Sequence, residues 1–159
     1  MVQARGKGFL KVTGILLIIF GALTVIIGLL AIAGSAMIGS GTVDMSAAGV
    51  DAGAYDAGTI MLMSVFTVVM GIINLVAGII GVANANKLEK AQLCFIIGIV
   101  LIVLQLIDAV YSTIVGELSI FGIVVGLILP ILFVIGANKN KEQFAEMQSQ
   151  PPTSETGEI

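Results

Sequence analysis

Four apolar runs, Val12 to Ala33, Thr59 to Ala83, Ala91 to Ser112 and Ser119 to Ala137, leave this chain little choice of fold. A helix rises about 1.5 Å per residue, so the first run covers about 33 Å, enough for a bilayer hydrocarbon core of about 30 Å. Within the runs the apolar residues come in blocks, whereas a soluble helix carries them as one stripe on a polar cylinder. The whole chain is 58% hydrophobic and 11% charged, against about 45–50% and about 25% in ordinary soluble domains. Its mean hydropathy of +1.14 agrees. These features predict an all-α integral membrane protein, a four-transmembrane-helix bundle made of two antiparallel hairpins.

The segments between the runs set the organisation. The first run competes with a signal peptide, since Gly34-Ser35-Ala36 resembles a cleavage site, but it exceeds the usual apolar core of about 7–15 residues and reads as a retained helix. Residues 34–58 form an outer loop rich in Gly, Ala and Ser, with Asp44, Asp51 and Asp56 and no basic residue. Its acidic residues are too sparse for a calcium loop, and a flexible solvated segment is the simpler reading. Asn84 to Lys90 is a short turn that makes the second and third spans antiparallel neighbours. The membrane domain thus covers residues 1–141. A cytoplasmic tail follows over 142–159, helix-compatible from Lys141 to Gln148 and then too polar and Pro-rich to fold.

Charge placement gives the orientation. Every basic residue sits in one of three segments: Arg5, Lys7 and Lys11, then Lys87 and Lys90, then Lys139 and Lys141. These flank alternate ends of the spans, so the positive-inside rule puts both termini and the Lys87/Lys90 turn in the cytoplasm of a multi-pass cell-membrane protein. Glu117 and the Asp-bearing loop then face outward, with Tyr55 and Tyr111 at the outer interface. No basic patch is large enough for nucleic acid. The second and fourth apolar runs both close on Ala-Asn-x-Asn-Lys, at residues 83–87 and 137–141. Duplication of a hairpin would produce this recurrence, and so would a shared need to stop a helix at the cytoplasmic surface.

Glycine spacing predicts how the helices pack. Gly14, Gly21 and Gly28 recur every seven residues in the first span, and Ser64, Gly71 and Gly78 do so in the second. A seven-residue repeat keeps one face toward a partner, and small residues there let backbones approach. In the fourth span Gly122 and Gly126 form another close-approach pair, and Pro130 removes a backbone hydrogen bond and predicts a kink. A gating hinge at Gly126 and Pro130 is the functional alternative to packing.

The third span carries a stripe of Cys94, Gly98, Leu101, Gln105, Asp108 and Ser112 on one helical face. A carboxylate at the bilayer centre costs about 2.5–3.5 kcal/mol on insertion scales, so this face is expected to turn toward the bundle or toward water. Asn74 of the second span is a candidate counterpart, making Asn74, Gln105 and Asp108 the candidate polar site. Asp108 is either a proton or cation site or an outer-interface residue bonded to Gln105 or hydrated at the bundle mouth.

Catalytic chemistry has no footing here. Histidine is absent and Cys94 is the only cysteine, which removes the usual proton shuttle, the commonest metal ligand and any internal disulfide. No nucleophile and base pair, phosphate loop or metal cluster is present, and the seven methionines read as pliable filler. The expectation is a non-enzyme without cofactor or metal. The Gly14-Ile-Leu-Leu-Ile-Ile-Phe-Gly21 opening and the Gly136-Ala-Asn-Lys-Asn-Lys141 closure resemble the small, mostly uncharacterised bacterial four-helix (tetraspan) membrane proteins. That resemblance covers the membrane domain and implies the fold without lending an activity. Claudins, tetraspanins and connexins carry cysteine signatures in their outer loops that are missing here. The expected function is an accessory, scaffold or assembly subunit that packs through its glycine faces as a homo-oligomer or on another membrane protein. The alternative is a channel or transporter subunit with a path near Gln105 and Asp108.

Overall fold

The computed structural model describes residues 3–41, 57–115 and 120–149. These residues form four long helices and no strand: α1, Lys7–Gly39; α2, Ala57–Asn84; α3, Ala91–Val115; and α4, Ile120–Ser149. A single 3₁₀ turn, Leu88–Lys90, leads into α3. All four helices are long and apolar enough to cross a membrane. Large apolar side chains cover their outer faces, with Leu62 71%, Leu30 68% and Ile27 62% exposed. A water-soluble domain does not display apolar surface on this scale, whereas lipid tails accept it.

The helices overrun the apolar blocks. α1 takes in residues 34–39, expected in the outer loop, and stops where Gly41 adopts φ 71°. There Ser40 N donates to Ala36 O and Gly41 N to Ile38 O, both at 3.0 Å, closing the last turn with the left-handed conformation that glycine accepts without strain. α4 continues past Ala137 to Ser149, so the boundary expected at residue 141 falls inside a helix. The rest of the outer loop with Asp44, Asp51, Tyr55 and Asp56, the connection carrying Glu117, and residues 150–159 lie outside the described residues.

Many hydroxyl and amide side chains within the spans bond to their own helices. Thr13, Thr24, Ser64, Thr67 and Thr113 each donate to the carbonyl four residues back, at 2.6–3.0 Å. Such back-bonding is how a polar side chain avoids an unmet hydrogen bond in hydrocarbon. Among the described residues no buried side-chain nitrogen or oxygen lacks a partner.

The chain divides into two units, residues 16–79 and residues 1–15 with 80–159. In the first, α1 and α2 meet along the glycine seam. A methyl group at Gly21 would come within 2.8 Å of Gly71 O and Leu75 N, and one at Gly71 within 3.0 Å of Gly21 O. One turn-pair further on, a methyl at Gly28 would lie 2.6 Å from Val68 Cγ2 and 3.3 Å from Ser64 O. Only hydrogen fits at these positions, so the two backbones lie in direct contact. The seven-residue series on α1 extends one step further, to buried Ser35. Gly14 and Gly78 are buried as well.

In the second unit α3 packs on α4 around Phe133, which has no exposed surface. The ring fills the notches left by two glycines: a methyl at Gly81 would collide with its edge, and one at Gly98 would lie 3.1 Å from Cδ1. Gly98 would also meet Val134 Cγ2 at 2.5 Å. Pro130 is fully buried within α4, and Gly122 is exposed.

Candidate functional site

The stripe expected on α3 is the shielded side of that helix. Cys94, Gly98 and Leu101 are buried, and Gln105, Asp108 and Ser112 are half-buried, while Val100, Val103, Ile107 and Val110 are exposed. The four-three spacing that keeps these residues on one face therefore keeps them off the exposed apolar side of the helix. Gln105 lies against α4, its Nε2 occupying the space where Gly126 would carry a side chain. That accounts for glycine at 126: the amide needs the room. Asp108 sits one turn further along the same face, and no hydrogen bond joins it to Gln105. Asn74 belongs to the other unit, where its Nδ2 donates to Met70 O of its own helix at 3.1 Å. Of the three candidate residues, Gln105 and Asp108 thus share one face of α3, and Asn74 donates within α2.

A second polar cluster lies at the end of the larger unit that bears the basic residues. Asn140 of α4 is completely buried. Its Oδ1 accepts from Gly6 N at 2.7 Å, and its Nδ2 donates to Ala85 O at 3.1 Å. One side chain therefore ties together the entry to α1, the exit from α2 and the body of α4. One turn along α4, Gln143 Oε1 accepts from Arg5 N at 2.7 Å and its Nε2 donates to Gln3 O at 3.1 Å. A primary amide offers one acceptor and two donors, so each side chain can pair with backbone at both ends. An exposed ion pair, Arg5 Nη1 to Glu146 Oε2 at 2.8 Å, closes the outer edge.

Backbone crossing makes the cluster possible. A methyl at Gly6 would run into Gly136 O and come within 2.8 Å of Asn140 Oδ1; one at Gly136 would lie 3.0 Å from Leu10 N. Glycine at both positions lets α1 begin directly on α4. The first amides of a helix have no intrahelical partner, and here amides of α4 supply acceptors at Arg5 and Gly6, immediately ahead of α1.

The two Ala-Asn-x-Asn-Lys segments have different structural roles. α2 ends at Asn84, and Asn86 is exposed in the turn, whereas Asn138 to Lys141 lie inside α4, with Asn140 wholly enclosed. A common helix-stop signal does not account for the second occurrence, because the helix does not stop there. Gln143 and Gly6 carry no motif of their own, and the recurring Ala-Asn-x-Asn-Lys segment that contains Asn140 did not mark it as buried. Their signal was the continuation of a helical face, Pro130, Phe133, Gly136, Ala137, Asn140 and Gln143, beyond the apolar run.

Chemically, both clusters join helices. Their groups are amides, the half-buried Asp108 carboxylate and the exposed Arg5–Glu146 pair, and among the described residues no three His, Cys, Asp or Glu side chains gather as a metal site. The chain matches no family model, no curated protein and no solved structure.

Proposed function

We propose that this is a non-enzymatic, multi-pass membrane protein that acts as an accessory, scaffold or assembly subunit. The carrying observation is that, among the described residues, its buried polar side chains are met within the chain while the outward faces of its helices are apolar. Asn140 and Gln143 bind backbone of other segments, the hydroxyls bind their own helices, and residues such as Leu30 and Leu62 point outward. The glycines do likewise: Gly21, Gly28 and Gly71 set contacts inside one chain. A partner, whether another copy or a different membrane protein, would then meet apolar side chains presented on a rigid frame.

The fold expected for this role is two antiparallel hairpins with both termini cytoplasmic. Two observations support the hairpins. Contacts pair rising numbers on α1 with falling numbers on α2, Gly21 with Gly71 and Gly28 with Ser64. They do the same on α3 and α4, Gly98 with Val134 and Gln105 with Gly126. The orientation is supported by Asn140 and Gln143, which draw segments 3–6 and 85 to α4 at the end that carries all seven Lys and Arg.

A channel or transporter subunit is the second reading, favoured by Asp108 on the shielded face of α3. Intramembrane carboxylates commonly mark ion or proton paths. Reconstitution into liposomes separates the two, read together with the oligomeric state in lipid. The scaffold reading predicts liposomes that stay electrically silent and Asp108→Asn protein with unchanged oligomer size. Ion flux that Asp108→Asn alters would overturn it.

A further inference from the structure

Six lysines crowd the end of the larger unit where Asn140 and Gln143 form a clasp on the backbone of residues 3–6 and 85, and among the described residues none forms an ion pair: Lys7, Lys11, Lys87, Lys90, Lys139 and Lys141. The acidic residues of the same segments are Glu89, Glu142 and Glu146. Glu146 is taken by Arg5, and Glu142 accepts from Asn138 at 2.7 Å. Among the described residues of this end positive charge is therefore in excess, seven Lys and Arg against three Glu.

Two of these lysines are held in matching seats. Lys139 Nζ lies 4.8 Å from the centroid of the Phe9 ring on α1, and Lys141 Nζ lies 4.8 Å from the Phe95 ring on α3. Residues two apart on a helix point to opposite flanks, and Asn140 between them is buried. The lysines accordingly flare to either side of α4, each over a ring from a neighbouring helix. Phe9 is fixed by the Gly6–Gly136 crossing, since its Cβ lies 3.0 Å from where a Gly136 methyl would stand. A ring engages one side of an ammonium and leaves N–H donors facing outward. An aromatic at the level where acyl chains begin, capped by an ammonium with free donors, complements a lipid phosphate.

We propose that the Lys139–Phe9 and Lys141–Phe95 pairs are two headgroup seats for anionic phospholipid, one on each flank of α4. The seats rest on the membrane-spanning reading. Their occupant is a lipid because the ring supplies an apolar floor that a free phosphate would not use. The seats hold lipid against the outer edge of the clasp, so a bound headgroup would brace the crossing of α1 on α4.

The test places the full chain in nanodiscs of equal phosphatidylglycerol and phosphatidylcholine, extracts it gently and measures retained lipid by mass spectrometry. Each lysine near an anionic surface contributes about fivefold in binding. Phosphatidylglycerol should be enriched, and Lys139→Gln/Lys141→Gln should reduce the enrichment by at least about fivefold. Lys87→Gln/Lys90→Gln, which removes equal charge from the connection between α2 and α3, should reduce it less. Unreactive Cys94, the sole and fully buried thiol, certifies that each variant is folded. Equal retention of the two lipids, or equal losses in the two double variants, overturns the seats while leaving the membrane reading intact. Failure of the wild-type chain to enter nanodiscs would instead remove the membrane reading and the seats with it.

Discussion

Replacing Asn140 with alanine should loosen the whole basic end of the protein. The substitution removes the acceptor for Gly6 N and the donor to Ala85 O at a position with no exposed surface. Each buried backbone group left without a partner costs about 1–3 kcal/mol, so with two such groups Asn140→Ala is expected to destabilise by about 2–6 kcal/mol. Asn140→Asp keeps the acceptor, loses the donor and buries a carboxylate opposite the Ala85 carbonyl, so it should be at least as damaging. The control is Asn86→Ala, at the equivalent place in the first Ala-Asn-x-Asn-Lys segment. Asn86 is exposed, and its loss should change stability by less than about 0.5 kcal/mol. Heating in detergent with a thiol-reactive fluorophore gives the readout, because Cys94 is the only thiol and is buried on α3 beside the α4 contact. Asn140→Ala should expose Cys94 at a lower temperature than wild type and than Asn86→Ala. Identical unmasking curves for the three proteins would refute the clasp as the tie between α1, α2 and α4.

The glycine seam predicts a sign change along α1. Gly21→Ala must push against backbone atoms of α2 at 2.8 Å and should destabilise by about 1–3 kcal/mol, whereas Gly34→Ala enters open space and should be neutral or stabilise by up to about 1 kcal/mol. Thermal melts followed by circular dichroism check both, and equal effects would place the seam elsewhere. The Arg5–Glu146 pair is more than half exposed on both sides, so Glu146→Gln should cost under about 1 kcal/mol, and 0.5 M salt should abolish the difference from wild type in the same melts.

Much of the architecture was legible because lipid imposes simple rules. Apolar length marked four helices, and a seven-residue spacing of Gly21, Gly28, Ser64 and Gly71 marked the faces that now lie in contact. The α3 stripe was legible for the same reason, since Cys94 to Ser112 had to be kept from lipid as a face. The clasp was not. Its partners are the amides of Arg5 and Gly6 and the carbonyls of Gln3 and Ala85, and backbone groups leave no mark in side-chain identity. Ending the fourth span at the loss of hydropathy also hid Asn140 and Gln143. The helix continues there because Glu142, Gln143, Ala145, Glu146 and Met147 favour it, and its buried face changes from apolar to amide without changing period. Asn74 shows a bond that side-chain type alone does not reveal: one N–H of its amide donates to Met70 O of its own helix.

The central claim is that the three basic segments share one side of the membrane and the acidic loop lies on the other. Single cysteines on a Cys94→Ser background, in intact cells with a membrane-impermeant thiol reagent, test it most directly. A cysteine at Ser46 should label from outside, and cysteines at Glu89 or Glu142 only after the membrane is permeabilised. Labelling of Glu142→Cys in intact cells, or of Ser46→Cys only after permeabilisation, would contradict the account.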